Sequence, residues 1–172
     1  MPFGSLCKPE LASKFTDTPI DILSSAEASD ADFVYRDDMT SFIATRIAAR
    51  DALKMAALNV SDMDLIEAHD AFTINELIAY EDLGLCEKGA SGKFVESGAT
   101  RIGGTIPVNT SGGLKAKGHP VGSSGTGQAY EVYQQLSGKA SRERRVEGAE
   151  TALTHSMGGA GVTVQIHVFN RR

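Results

Sequence analysis

One histidine of this 172-residue sequence stands in a setting that favours chemistry, a glycine-rich loop at residues 109–122. His119 follows Gly118 and precedes Pro120. Glycine permits positive φ and close approach of the backbone, whereas proline fixes φ. A histidine held between them has little backbone freedom, which suits a residue that must meet a reacting atom. An ordinary glycine-rich turn with a solvated histidine would show the same local composition.

Two other segments with candidate side chains also follow predicted strands. His69 comes directly after a short apolar run at residues 65–68, and residues 156–159 separate two further strand patterns. In an α/β sheet, the loops at strand ends gather into one crevice. The sequence therefore predicts a candidate site that combines His69, His119 and residues 156–159.

Hydrophobic periodicity predicts the elements that would position these residues. The order of strands and helices indicates an α/β fold. We expect Thr40 or Ser41 to cap the first helix, and Ile20, Ile22 and Leu23 to lie in the core. The first helix is predicted to bury an apolar stripe of Ile43, Ile47, Ala48, Ala52, Met55 and Ala56. Strands are expected at residues 19–28, 65–68, 106–108, 151–156 and 162–169, and helices at residues 41–58, 73–83 and 123–137.

Length, composition and charge limit the class of protein. The chain is long enough for one domain with a real core. Residues 1–17 are poorly patterned and are predicted to be a leader or linker, and residues 18–172 are predicted to be the folded domain. A hydrophobic content of 41% and a charged content of 23% are typical of a soluble globular protein. The net charge of −5, with no basic run, argues against a nucleic-acid partner.

The cysteines and the apolar runs predict the compartment. Cys7 and Cys86 cannot form a disulfide framework, which favours a reducing, cytoplasmic location. The N-terminal residues contain no apolar run long enough for a signal peptide, and no later segment could span a membrane. The four histidines are scattered and no CxxC occurs, so no metal site is expected.

Four segments of the chain resemble sequence blocks of the thiolase superfamily. The loop at residues 109–122, NTSGGLKAKGHPVG, resembles the fingerprint that contains the catalytic GHP histidine. Residues 69–86, HDAFTINELIAYEDLGLC, resemble the second block, and residues 155–169, HSMGGAGVTVQIHVF, the closing block. Residues 36–56 resemble the helix that precedes them. The blocks are most similar to the sterol-carrier-type and archaeal branches, and the resemblance covers only the C-terminal half of a thiolase.

The resemblance implies an architecture and a set of partners. A thiolase is built from two similar halves as a five-layered αβαβα protein, so this chain is expected to form one half, a mixed β-sheet with helices on both faces. The implied substrate is an acyl-CoA or another coenzyme A thioester, with no tightly bound cofactor. The implied partner is the missing N-terminal thiolase half, which carries the nucleophilic cysteine. Self-association into a homo-oligomer is also expected.

The resemblance also implies roles for individual residues. His119 is expected to be the base that accepts the proton of the nucleophilic cysteine. His69, in HDAF, is expected to be an oxyanion-hole donor, although a satisfied core histidine is the alternative. Asn109 would brace the loop or position a water, or serve only as a turn residue. Gly158 would offer a backbone N–H to a second oxyanion hole. The substrate is expected to lie against Gly118, Ser156, Phe72 and Met157.

Two positions depart from the thiolase pattern. The acid/base cysteine of CxG is replaced by Ser156, and the cysteine of HDCF by Ala71. A serine hydroxyl has a much higher pKa than a thiol and is a poor general base. His155 could substitute. The departure leaves room for another reaction of the carbon–carbon bond, such as a retro-aldol cleavage of a CoA ester, or for a non-catalytic acyl-CoA-binding or scaffold subunit.

Neither cysteine of the chain occupies a nucleophile motif. Cys86 is expected to be a structural thiol, and Cys7 lies in the poorly patterned segment. The chain alone should therefore be unable to form an acyl-enzyme. Lys115 and Lys117 either attract the phosphates of coenzyme A or are exposed loop lysines.

Overall fold

Four strands form one mixed sheet in the computed structural model, which describes residues 5–172. The strand order is β1-β4-β3-β2, where β4 is antiparallel to β1 and β3, and β2 is parallel to β3. A tight turn at Gly159–Gly161 joins β3 to β4, which makes this pair antiparallel. The bounds are β1 Ile20–Ser29, β2 Leu65–Glu67, β3 Thr151–Gly158 and β4 Thr163–Arg171.

Five α-helices connect or flank these strands within the described residues, and none of them is long and apolar enough to cross a membrane. The sequence pattern predicts the three longer helices, whereas α4 lies inside the glycine-rich loop, where no helix is predicted. The bounds are α1 Ile43–Ala56, α2 Thr73–Asp82, α3 Ser91–Glu96, α4 Gly113–Lys117 and α5 Ser124–Leu136. Short 3-10 segments lie at Pro9–Lys14, Phe33–Tyr35, Val60–Asp62 and Gly159–Gly161.

The two faces of the sheet carry separate apolar clusters. Neighbouring residues of a strand point to opposite faces. On β4, Val168 packs into the cluster that contains the buried alanines of α1, whereas Phe169 packs with Val132 and Leu136 of α5. Helices therefore cover both faces of the sheet, which confirms the predicted mixed α/β half.

Small residues form the buried face of α1, and this corrects the predicted stripe. Ile43 and Met55, which the periodicity places in the core, are 47% and 61% exposed. Alanines at the contact leave room for the valine and isoleucine side chains of β4 that pack beneath them. The buried residues of α1 are Ala44, Thr45, Ala48, Ala49 and Ala52.

The cap of α1 comes from another helix, so the prediction that Thr40 or Ser41 caps it is wrong. Phe42 is the N-cap residue and its side chain makes no capping hydrogen bond. Instead the carboxylate of Asp82, the last residue of α2, accepts the Phe42 N–H at 2.6 Å and the Ser41 hydroxyl at 2.9 Å. A buried carboxylate needs such donors, and the helix N-terminus supplies them.

Strand β1 places two of its three predicted core residues differently from the prediction, whereas Ile20 is partly buried against the cluster that contains Val132 and Leu136. Ile22 and Leu23 are 46% and 39% exposed, because β1 is an edge strand with a bulge between Ile22 and Ser24. The bulge removes Leu23 from the ladder with β4 and changes the side on which the following residues point.

The predicted strand at residues 106–108 is reduced to a single bridge between Val108 and Ile66. Pro107 has no N–H to donate, so it contributes only its carbonyl, which accepts the Ile66 N–H at 3.0 Å. This bridge still sets the start of the glycine-rich loop beside the end of β2.

The predicted leader at residues 1–17 begins with residues 1–4, which lie outside the described residues. Its remaining part contains the 3-10 segment Pro9–Lys14, and the Pro9 carbonyl accepts a hydrogen bond from Arg172 at 3.1 Å. The boundary between leader and domain stays a prediction.

Replacing Gly161 by alanine tests how the turn between β3 and β4 packs on α1. An alanine Cβ at this position would lie 2.6 Å from Cδ1 of Phe42, and the residue has a φ of +86°. Gly148 is a matched control, since its φ is +74° but a Cβ would meet nothing within 4 Å. We expect G161A to lose about 1–3 kcal/mol more unfolding free energy than G148A in urea titrations. Equal losses would show that the close contact with Phe42 has no energetic role.

Candidate active site

The glycine-rich loop presents His119 at the surface of the domain. Nδ1 of His119 lies 2.7 Å from Oγ of Ser124, the first residue of α5. The Ser124 hydroxyl also donates to the Pro120 carbonyl at 3.2 Å. Because a hydroxyl has one hydrogen, this bond lets Ser124 accept Nδ1–H of His119, and Nε2 then carries a lone pair. Such a tautomer is the one a general base requires.

His69 is buried beside His119. The two ring centroids are 4.9 Å apart and the rings are nearly perpendicular, at 87°. Nδ1 of His69 accepts the Met157 N–H at 3.4 Å, so the proton of a neutral ring lies on Nε2. Burial lowers the pKa of His69 to about 4, and the nearby His119 adds to this effect, whereas Asp70 opposes it. At neutral pH His69 is therefore an uncharged hydrogen-bond donor.

His155 supports His69 from behind. Its side chain is fully buried, Nδ1 accepts the His69 backbone N–H at 3.3 Å, and Nε2 pairs with Oγ1 of Thr45 at 3.0 Å. Burial lowers the pKa of His155 to about 3, with His69 as a second cause. Both ring nitrogens are occupied and no face is open to a substrate. This geometry argues against the hypothesis that His155 replaces a missing acid/base cysteine.

Asn109 ties the start of the loop to β2. Its Oδ1 accepts the Ala68 N–H and its Nδ2 donates to Oε1 of Glu76, each at 2.8 Å. Its φ is +54°, and its carbonyl accepts the Gly112 N–H at 2.8 Å. Asn109 is thus a turn residue whose side chain also braces the loop, so these two predicted roles are compatible.

Two carboxylates near His69 hold the loop, and the motif-based reasoning missed both. Asp70 accepts the Leu114 and Lys115 N–H groups at 2.6 and 3.4 Å, at the start of α4. A Cβ on Gly113 would lie 2.1 Å from Asp70 Oδ2, so only glycine fits there.

Glu67, the last residue of β2, is 1% exposed and bonds to the same loop. A carboxylate within the apolar run at residues 65–68 is the sequence signal that could have identified it.

The remaining predicted site residues lie at different distances from this histidine pair. Met157 contacts His69 through its N–H. Ser156 faces the first turn of α5, where a Cβ on Gly125 would lie 3.3 Å from its Oγ. Gly118 precedes His119 with a φ of +91°. Gly158 is exposed at the end of β3, and Phe72, before α2, is 68% exposed. The structure thus brings Met157 into contact with His69, places Ser156 against the first turn of α5 and leaves Phe72 at the surface.

Cys86 does not have the environment of a nucleophile. It is partly buried and packs against the cluster that includes α1. Burial raises the pKa of its thiol, and Glu81 and Glu87 add to the effect. Reactive cysteines need a lowered pKa, so these surroundings favour a structural role.

Comparison with known proteins adds to this geometry. The family model described as thiolase C-terminal domain-like matches residues 25–171. This chain belongs to the thiolase C-terminal domain family.

Relatives of this thiolase domain are longer proteins. An acetyl-CoA acetyltransferase of Methanothermobacter thermautotrophicus is 52% identical over 167 residues, which cover 96% of this chain and 43% of the relative. Sterol carrier protein 2 of Bos taurus is 46% identical over 126 residues, which cover 73% of this chain and 23% of the relative. The chain therefore spans less than half the length of these relatives.

A solved structure shares the fold. The structure named Ltp2-ChsH2(DUF35) aldolase has a TM-score of 0.83 and 25% identity, with 94% of this chain and 42% of that chain covered. The predicted recognition of a thiolase half and its fold are confirmed by these matches.

The buried histidines predict how stability depends on pH. An unfolded histidine titrates near 6.5, whereas His69 and His155 stay neutral in the folded domain down to about 4 and 3. The unfolded chain therefore binds more protons, and folding stability falls as the pH drops below about 6.5. Between pH 7 and pH 5, the unfolding free energy of H155Q should fall by about 2 kcal/mol less than that of the wild type. Urea unfolding at both pH values measures this difference.

Comparing how steeply the unfolding free energies of the variant and the wild type depend on pH removes the contributions of other titrating groups. Carboxylates titrate in both proteins alike. H167Q is a graded comparison, because burial also lowers the pKa of the half-buried His167, and we expect its change of slope to be smaller than that of H155Q. Identical pH slopes in H155Q and wild type would mean that His155 takes up a proton in the folded state.

Proposed function

We propose that this thiolase domain supplies the base and the oxyanion-stabilising groups of an acyltransferase that forms or cleaves the Cα–Cβ bond of a 3-oxoacyl-CoA. The observation that carries the proposal is the pair of His119 and His69, whose ring centroids lie 4.9 Å apart. Each ring has Nδ1 engaged, by Ser124 and by Met157, which leaves the two Nε2 atoms with opposite chemistry. One Nε2 accepts a proton and the other donates a hydrogen bond.

In the degradative direction, His119 takes the proton of a cysteine thiol that the N-terminal half supplies. The thiolate attacks the 3-oxo carbon, the C2–C3 bond breaks, and the acyl group stays on sulfur as a thioester. C2 of the departing acetyl-CoA gains one proton, which equals the one that His119 took from the thiol. The thiol of coenzyme A then attacks the acyl-cysteine and releases the shortened acyl-CoA.

The oxyanions of these steps need donors that are fixed in advance. Nε2–H of His69 is such a donor, because the Met157 N–H and the His155 contact fix its ring and backbone. Its low pKa keeps it neutral, so it stabilises negative charge without competing as an acid. Gly158, exposed at the end of β3, offers a backbone N–H for the second oxyanion. We propose that the substrate lies against Gly118, Ser156 and Met157.

We assign the nucleophile to an N-terminal thiolase half rather than to this chain. The archaeal relative extends well beyond the matched 43% of its length, and the thiol of Cys86 has a raised pKa. We therefore infer that the chain needs an N-terminal thiolase half for turnover, binds acyl-CoA without a tightly held cofactor, and works as an oligomer.

A retro-aldolase is the second candidate. Ser156 and Ala71 stand at both positions where thiolases keep an acid/base cysteine, and the structural neighbour with a TM-score of 0.83 is named an aldolase. Such an enzyme needs no nucleophilic cysteine. A base takes the proton of a 3-hydroxyl group, the C2–C3 bond breaks, a carbonyl product leaves, and C2 of the acetyl-CoA product gains the proton. His119 would be the base in this reaction as well.

Removal of the His119 ring tests both enzymatic hypotheses. In the complete protein, H119A should lower kcat about 10²- to 10⁴-fold, because general base catalysis by a positioned histidine contributes this much. H167A on β4 is the control and should keep wild-type turnover, with both variants matching the wild type in circular dichroism and melting temperature. Near-normal turnover by H119A would rule out the assigned role.

The choice of substrate separates thiolase from aldolase. A thiolase should cleave a 3-oxoacyl-CoA only with free coenzyme A, and mass spectrometry should detect an acyl-cysteine when coenzyme A is left out. An aldolase should release an aldehyde or ketone from a 3-hydroxyacyl-CoA without coenzyme A. Calorimetric binding of acyl-CoA with no turnover of either substrate would point to the non-catalytic subunit.

A further inference from the structure

Glu67 is a buried carboxylate two residues before His69. It is 1% exposed, and its oxygens accept the Ser111 N–H at 3.2 Å and the Ser111 hydroxyl at 2.6 Å. Nζ of Lys117 lies 3.4 Å from its Oε2. Burial raises the pKa of Glu67, and the charge of Lys117 is the largest influence that opposes this. A carboxylate in this position needs its partners, because a buried charge without them is costly.

The partners of Glu67 come from both ends of α4. Ser111 precedes the helix and Lys117 is its last residue. Nζ of Lys117 also lies 2.8 Å from Oγ of Ser111, so the three side chains contact one another. We call these three residues, Glu67, Ser111 and Lys117, the loop clamp. Lys117 is thus an exposed lysine, as one alternative predicts, and its ammonium group also pairs with a buried carboxylate.

Lys117 is two residues before His119, and only Gly118 separates them. Gly118 has a φ of +91°, and its N–H donates to the Leu114 carbonyl at 3.0 Å at the end of α4. Asp70 holds the other end of α4 through the Leu114 N–H. Besides Lys117, the position of His119 therefore depends on this cap and on its bond to Ser124.

We propose that Lys117 is a positioning residue, which acts through Glu67 and Ser111 to hold His119 against His69. The geometry gives the reason, since Glu67 and His69 share the end of β2 while Lys117 and His119 share the end of the loop. One carboxylate thus fixes the distance between the two rings. The expected effect of Lys117 on turnover rests on the proposed function. The expected effect on the positions of the two rings does not.

The test uses K117M, which keeps the length of the side chain and removes its charge. K117R restores the charge, and K93M, on the exposed face of α3, is the matched control. In the chain itself, we expect proton NMR to show a cross-peak between the His69 and His119 rings in wild type, K117R and K93M. The cross-peak should be lost in K117M.

Turnover by the complete protein gives the second readout. A misplaced base should lower kcat of K117M about 10- to 100-fold with little change in KM, since a displacement of about 1 Å costs this much. K117R should recover most of kcat. The double variant K117M/E67Q should be no slower than K117M, because residues that act as a unit are not additive. An additive loss would overturn the route through Glu67.

Failure of this inference and failure of the proposed function look different. An intact ring cross-peak and a normal kcat in K117M, with H119A inactive, would overturn the clamp alone. A lost cross-peak in K117M with normal turnover in H119A would support the clamp and overturn the proposed role of His119.

Discussion

The cost of burying charge and polar groups at the end of β2 determines the shape of this site. Glu67 and Asp70 are 1% and 3% exposed, and neither can remain so without donors. The glycine-rich loop supplies those donors from its backbone and from Ser111. The loop must come close to do so, which is why Gly113 cannot carry a Cβ beside Asp70. The geometry of the candidate site is therefore a consequence of satisfying buried carboxylates.

The same reasoning explains the state of the histidines. A buried imidazole avoids charge, and hydrogen bonds from backbone N–H groups select which nitrogen carries the proton. His155 accepts a hydrogen bond from the His69 backbone N–H and holds that backbone in place. Nδ1 of His69 accepts the Met157 N–H, which leaves Nε2 as the donor atom of the ring. His119 differs because it is exposed and bonds to a hydroxyl of α5. Burial thus distinguishes the two histidines, and it supports the different roles that we propose for them.

The sequence predicts the strands, the long helices and the three segments that meet at the site, because periodicity and motif blocks are local signals. It misplaced features that depend on distant partners. The cap of α1 is Asp82 of another helix, and the bulge at Leu23 arises from pairing with β4. Glu67 was missed for the same reason, since its donors lie in a loop more than forty residues away. His119 was found because Gly118 and Pro120 restrict it, and His69 because it follows a predicted strand in a segment that resembles a thiolase block.

The position of Ser156 bears on which reaction the enzyme performs. Its Oγ lies against the first turn of α5, where a Cβ on Gly125 would already be as close as 3.3 Å. A serine there cannot exchange protons at neutral pH as a thiol can. His155 is fully buried, with both ring nitrogens occupied. Under the proposed function, His119 is then left to take up a proton and to give it back in either reaction. Thiolysis takes that proton from a cysteine thiol and passes the acyl group through a thioester to coenzyme A, whereas retro-aldol cleavage takes it from a substrate hydroxyl and forms no acyl-enzyme.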